Sequence, residues 1–202
     1  GKSPEMQEVY DLIAQAAATD ATVIIEGESG TGKELVAKAI HDMSDQKAGN
    51  FVPVNCGAIP LALLESEFFG YRKGAFTGAD SDKHGYLHSA DNGTLFLDEL
   101  SEINQSMQVK LLRVIESGNY MPVGSTQEKH SAFRLIGATN RNLRELVKQG
   151  SMREDFFYRT SVIPIKLPPL KERREDIPLL VEHFWTLHGY AEKRPQAPAE
   201  IM

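Results

Sequence analysis

The stretch "TVIIEGESGTGKE", Thr22 to Glu34, decides the fold. Its apolar, β-branched start reads as a buried strand, its glycines as a turn, and Lys33 as the opening of a helix. Strand, glycine-rich loop and helix in that order are what a phosphate cradle requires. Glycines let successive backbone N–H groups wrap an anion, and a lysine at the helix start reaches the terminal phosphates. Gly27, Glu28, Ser29, Gly30, Thr31, Gly32, Lys33 and Glu34 are therefore the candidate nucleotide-binding residues. The competing explanation, a glycine turn that merely joins strand to helix, does not account for the lysine at its place. One departure matters. The general pattern puts Ser or Thr after the lysine to meet magnesium, and here Glu34 follows. A metal would have to rely on Thr31, water or a distant carboxylate.

Apolar runs and helical patterns alternate outward from this stretch. Ser3 before Pro4 and Glu5 marks a helix start, and Met6, Val9, Tyr10, Ile13 and Ala17 are expected on its buried face. "FVPVN" (51–55), "TLFLD" (94–98), "FRLIGAT" (133–139) and "SVIPIKL" (161–167) read as strands. Helices are expected from Lys33, from about Pro60, and around Met107, Leu111, Leu112 and Ile115. Buried strands separated by helices imply an α/β fold, with a parallel sheet covered on both faces. "LPPLKERREDIP" breaks the pattern with prolines and charges, and "DIPLLVEHFWTLHGY" then starts a new helix. The expected division is a phosphate-binding unit over 1–170 and a linker with the first part of a second, helical unit over 171–202. The chain reads as a piece of a longer polypeptide.

With 202 residues and 41% hydrophobic content the chain can bury one substantial core. A formal charge of −6 argues against nucleic acid held on a broad basic face. The single cysteine, Cys56, excludes an internal disulfide and reads as a small buried residue at a strand end. The six histidines show no metal-ligand spacing with it. With no signal peptide or long apolar run, a cytoplasmic protein without membrane contact is expected.

Two further segments carry chemistry. "GTLFLDE" is an apolar strand ending in two acids. A strand of this type beside the phosphate-loop strand would bring Asp98 to the metal and Glu99 to an attacking water. Acids that simply open a helix are the alternative. The other segment is "GYRKGAFTGADSDKHG" (70–85), where Phe76 stands among Gly74, Ala75, Thr77, Gly78 and Ala79. The glycines leave the backbone free to bend, so it reads as a mobile loop with an apolar tip. On the residues alone, a partner-binding tip and a loop folded back onto a satellite core are equally open.

"GESGTGKE", "GAFTGA", "GTLFLDE", "ATNRNL" and "LPPLKERREDIP" together resemble the central AAA+ ATPase domain of sigma-54-dependent transcriptional activators, the bacterial enhancer-binding proteins. The match runs from about Gly1 to Leu180, and "GAFTGA" is its most specific motif. The resemblance implies a P-loop AAA+ three-layer αβα sandwich with a five-stranded parallel sheet, followed by the start of a truncated helical lid. It implies Mg²⁺-dependent ATP hydrolysis that remodels the sigma-54 RNA polymerase closed complex. Gly74 to Ala79 would touch sigma-54, with Phe76 and Thr77 at the tip. Asn55 would hold Glu99 away from water until the partner engages. Without the resemblance, Asn55 reads better as a strand-end residue bonding local backbone. Thr139 and Asn140 would sense the terminal phosphate, and residues 118–131 would form a second pore loop.

Arg153 and Arg159, read as lying on one short helical stretch, would be arginine fingers offered to a neighbouring subunit. The expected assembly is therefore a closed ring, a hexamer by resemblance. The second sensor arginine of the lid would fall beyond Met202, and enhancer DNA would be met through a separate domain. Two other classes stay open: a nucleotide-dependent assembly module without productive turnover, and an AAA+ motor acting on DNA. Glu99 beside Asp98 argues against the first, and the acidic balance with an apolar loop tip against the second.

Overall fold

The structure is a computed structural model that describes residues 1–188. The first helix, α1 (Pro4–Ala17), is capped by Ser3, whose side chain accepts the Met6 N–H, and carries Pro4 in its first turn. Then follow β1 (Val23–Glu26), α2 (Lys33–Met43), β2 (Phe51–Asn55), α3 (Leu61–Phe69), a short α4 (Tyr86–Ser89) and β3 (Thr94–Asp98). The second half contributes α5 (Gln105–Ser117), β4 (Asn119–Tyr120), β5 (Lys129–His130), β6 (Arg134–Thr139), α6 (Leu143–Lys148), α7 (Glu154–Thr160), β7 (Ile163–Lys166) and α8 (Ile177–Leu187).

Five strands form one parallel sheet in the order β2-β3-β6-β1-β7, while β4 and β5 make a separate antiparallel pair. The all-parallel sheet explains the continuous apolar runs, because both of its faces are covered. Alternate residues divide cleanly. Val23, Ile25, Phe96, Ile136 and Ala138 face α1 and α2, whereas Ile24, Leu95, Leu97 and Leu135 face a second core that includes Phe68, Leu111 and Phe156. The three-layer αβα architecture is the one expected. Each edge strand carries a proline, Pro53 in β2 and Pro164 in β7, where a missing N–H costs little.

The sequence puts Tyr10 on the buried face of α1, but the side chain is 41% exposed. The buried stripe is Met6, Val9, Ile13, Ala16 and Ala17. Tyr10 lies next to Val9, about 100° further round the helix, and turns outward. The β4–β5 pair is also absent from the sequence expectations, since strands this short have no periodicity to read. The boundary segment folds into two 3-10 turns, Leu170–Glu172 and Arg174–Asp176, before α8 begins. Of the second unit expected over 171–202, the part beyond 188 lies outside the described residues. No described helix is long and apolar enough to cross a membrane.

Candidate functional site: a phosphate-type cleft and a separate loop pair

The sheet order places β3 and β1 on either side of β6, so the carboxyl ends of all three open on the same side. A cleft of about 810 Å³ lies there, lined among others by Ser29, Gly30, Gly32, Lys33, Glu34, Asp98, Glu99 and Asn140.

The loop between β1 and α2 is shaped to receive an anion. Gly30 (φ 78°) and Gly32 (φ 100°) take left-handed conformations that turn backbone N–H groups to one side. A side-chain carbon at Gly30 would touch nothing within 4 Å, so the cradle is open. Gly32 is the N-cap of α2 and supplies no side-chain cap, leaving the first N–H groups of that helix unclaimed by one. Lys33 Nζ donates to the carbonyls of Gly27 (3.0 Å) and Glu28 (3.1 Å), and Thr31 Oγ1 donates to Glu28 O at 2.8 Å. Gly27 sits where a Cβ would lie 2.9 Å from Thr31 Oγ1. Glu34 is exposed in the first turn of α2.

The acidic pair lies across the same cleft, and both residues are half-buried. One oxygen of Asp98 accepts the Glu99 N–H at 2.9 Å. Glu99 takes φ 54° and ψ 44°, a left-handed conformation that a side-chain-bearing residue holds only under constraint from its surroundings. Its carboxylate rests against Gly57: a Cβ there would lie 2.0 Å from Glu99 Oε2 and 3.4 Å from Asn55 Oδ1. Sequence reasoning passed over Gly57, although "NCG" after a strand is the signal that could have found it. Beneath the pair, Cys56 is 2% exposed, and burial together with Asp98, Glu99 and Glu102 pushes its thiol up to about 12.

Asn55 is brought beside Glu99, but its Oδ1 accepts the Ala58 N–H at 3.0 Å, the local backbone bond of a strand-end cap. Among the described residues no hydrogen bond joins it to Glu99. Thr139 is fully buried: its Oγ1 accepts the Arg141 N–H at 3.0 Å, and its carbonyl accepts the Gly27 N–H at 3.1 Å. Asn140, next in the chain, is the one of the two that lines the cleft.

Arg153 and Arg159 do not line it. Arg153 stands at the N-cap of α7, just before the helix, and Arg159 in its last turn. Arg153 forms a two-toothed pair with Asp155 (3.0 and 2.7 Å) that holds the Asp155 carboxyl below its usual range. Arg159 donates to Ile115 O at 3.3 Å and borders a different hollow with Asp20 and His130.

The segment 74–79 forms a tight loop apart from the cleft. Gly74 N–H donates to Ala79 O (2.8 Å) and Ala79 N–H to Phe76 O (3.0 Å), with Gly74 (φ 80°) and Gly78 (φ 95°) at the bends. Phe76 is 41% exposed, belongs to neither core, and meets the edge of Tyr71 at 4.9 Å. Thr77 is exposed and Ala79 buried. The neck is laced to residues 120–129: Arg72 N–H donates to Val123 O, Val123 N–H to Gly70 O, and a Cβ on Gly124 would lie 2.7 Å from the Ala75 methyl.

Comparisons with known proteins give the family and the fold. The family model of the sigma-54 interaction domain matches residues 1–166. The chain is 53% identical over 184 residues to the DNA-binding transcriptional regulator NtrC of Azospirillum brasilense, covering 91% of this chain and 38% of that protein. It is 51% identical over 193 residues to the transcriptional regulatory protein ZraR of Salmonella typhimurium, covering 96% and 43%. The chain thus spans well under half the length of these relatives. Among solved structures, NtrX from Brucella abortus in complex with ATP superposes with a TM-score of 0.85 at 39% identity, covering 92% of this chain and 42% of that one. The P-loop NTPase domain of an Escherichia coli sigma-54 activator shares the fold, with a TM-score of 0.57 at 22% identity over 84% of this chain and 99% of that one.

Proposed function

This chain belongs to the family of sigma-54 interaction domains, and from that membership we propose that it binds and hydrolyses ATP and uses the turnover to remodel the sigma-54 RNA polymerase closed complex. One observation carries the reading: an open glycine cradle at the start of α2 shares its cleft with a carboxylate pair, Asp98 and Glu99. A cradle alone suits binding; the pair across from it suits hydrolysis.

The residues divide the work by their chemistry. The N–H groups of the loop at Ser29, Gly30, Gly32 and Lys33 receive the phosphate oxygens, and Lys33 exchanges the carbonyls of Gly27 and Glu28 for the terminal phosphates. Oxygen donors suit a hard cation, and the Asp98 oxygen left after the Glu99 N–H is bonded, at the lining of the cleft, fits magnesium. That ion, when bound, neutralises charge on the phosphates. Glu99 orients the attacking water, held in place by its own backbone and by Gly57. Asn140 reads the terminal phosphate, with Thr139 fixing the turn that presents it. Asn55, adjacent to Glu99, restrains it once released from Ala58.

Arg153 and Arg159 act on the nucleotide of a neighbouring subunit, which fits their absence from the cleft of their own chain. The assembly is then a ring with heterologous contacts, six-membered by family resemblance. Gly74, Ala75, Phe76, Thr77, Gly78 and Ala79 meet sigma-54 through the exposed Phe76–Thr77 tip, steadied by the second loop. The ATPase unit ends near 170 and the lid begins there. In its longer parent protein, enhancer DNA is bound by another domain, and the protein works in the cytoplasm.

The test pairs two measurements on a ring-forming chain: phosphate release with ATP and magnesium, and retention of purified sigma-54 in ATP and in ADP with a metal-fluoride mimic. Turnover together with retention in the mimic supports the reading. Nucleotide binding without phosphate release makes the chain an assembly module, and retention on DNA at physiological salt with no hold on sigma-54 makes it a DNA motor.

A further inference from the structure

The segment that follows the sheet folds back over the phosphate loop. Between its two 3-10 turns, Arg173 points its guanidinium inward: Nη2 donates to the Thr31 carbonyl at 3.0 Å, and Nη1 sits 3.2 Å from the Met6 sulfur. Nε is buried with no hydrogen-bond partner among the described residues. A buried donor left unpaired destabilises a fold, so stability alone gives no reason for an arginine here.

The place of the Thr31 carbonyl supplies one. A loop that receives anions must turn its N–H groups inward, which turns the intervening carbonyls outward, where they need donors of their own. Thr31 lies between the two left-handed glycines, Gly30 and Gly32, at the crest of that alternation. Lys33 satisfies the carbonyls of Gly27 and Glu28, but Lys33 is the group that must swing to the phosphates. Its hold on the loop ends as the anion arrives. Arg173 does not line the cleft and need not move.

The arm that carries Arg173 is itself anchored. Asp176, 1% exposed, accepts the Ser3 N–H (3.0 Å), the Ser3 hydroxyl (2.9 Å) and the Lys2 N–H, while its own N–H donates to Arg173 O at 3.0 Å. Ser3 is also the cap of α1. The start of α1, the turn bearing Arg173 and the phosphate loop are thus joined by hydrogen bonds, with Lys171 adding an exposed tie to Glu28 at 3.6 Å.

We propose that Arg173 is a positioning residue for the phosphate-binding loop: its guanidinium holds the Thr31 carbonyl outward, so that the neighbouring N–H groups stay turned toward an incoming phosphate. The proposal rests on the nucleotide-binding reading above. Its consequence is that the loop is preorganised before nucleotide arrives, by a residue from the segment after the sheet.

The test uses Arg173→Met, which keeps the length of the stem and removes every donor, with Arg173→Lys, which restores one. Three quantities are compared with the unaltered chain: the melting temperature, the hydrogen exchange of amides 28–33 without nucleotide, and the affinity for ADP. In Arg173→Met, melting should change little, because removal of the unpaired Nε offsets the Thr31 carbonyl left without its donor. Exchange in the loop should quicken, and ADP should bind about tenfold more weakly, as the loss of one charge-assisted hydrogen bond implies. Arg173→Lys should fall between. In turnover, KM should rise while kcat changes little, since a preorganised loop serves ground state and transition state alike. Loop exchange and ADP affinity both unchanged in Arg173→Met overturn the proposal. So does a fall in melting temperature with exchange quickened equally in α5, which would make Arg173 a packing residue. If the unaltered chain fails to bind ADP, the nucleotide reading fails, and the exchange comparison, made without nucleotide, still decides the role of Arg173.

Discussion

Gly57→Ala isolates the carboxylate of Glu99 without touching it chemically. A Cβ at position 57 would stand 2.0 Å from Glu99 Oε2, and ordinary contact begins at 3.4 Å, so the oxygen must retreat by about 1.4 Å. The atom that yields is the end of a flexible side chain, and Gly57 itself is exposed, so the fold should lose little, about 1 kcal/mol or less. The cost falls on chemistry. A reacting group displaced by about 1 Å can lose on the order of 10²-fold in rate. Phosphate release should therefore drop about a hundredfold while ATP affinity, set by the loop at α2, stays within about twofold. Single-turnover phosphate release beside nucleotide titration and thermal melting separates these effects. Normal turnover in Gly57→Ala would show that the position of the Glu99 carboxylate does not limit hydrolysis, and the assignment of Glu99 would fall with it.

Lys33→Ala should remove the rise in melting temperature that ATP gives, because the charge meeting the terminal phosphates is gone; an undiminished rise would misplace the site. Phe76→Ala should cost about 1 kcal/mol or less, since the ring is 41% exposed and its aromatic contact is the edge of Tyr71. It should leave turnover intact and end retention of sigma-54, whereas a loss of about 3–5 kcal/mol by denaturant melting would mark Phe76 as core. Mixing Arg159→Ala chains with Lys33→Ala chains in a ring-forming protein should restore activity, since a finger in trans is worth about 10³- to 10⁵-fold in rate. Mixed rings as inactive as their parents would place the arginines in cis. Cys56, with its thiol raised to about 12 by burial and nearby carboxylates, stays protonated through neutral and mildly alkaline pH. Thiol reagents at pH 8 should label it at the rate of unfolding, and rapid labelling of the folded chain would contradict that burial.

Much of the site is legible in short stretches. The strand, glycine loop and lysine of residues 22–34 announce the cradle because their geometry is local: each N–H of the loop lies within a few residues of the next. The same holds for Asp98 and Glu99 at a strand end. Asn55 shows where this reasoning stops. The resemblance assigns it to Glu99, the residues by themselves favour a local backbone bond, and the structure has the bond to Ala58 with Glu99 alongside. Tyr10 shows a finer limit, since a stripe of apolar letters does not say which margin of a helix the neighbouring layer leaves bare.

By itself, the sequence determined the alternation of buried strands and helices, the cradle, the acidic strand end and the apolar loop tip, because period, β-branching and glycine placement act over a few residues. The tertiary structure decided what lies far apart in the chain: that β6 separates β1 from β3, that residues 70–72 are laced to Val123, that Gly57 makes room for Glu99, and that Arg173 reaches Thr31 across 142 positions. Such contacts depend on how layers close over one another, and a hydrogen bond between distant residues exists only once burial of the two cores has brought its ends within about 3 Å.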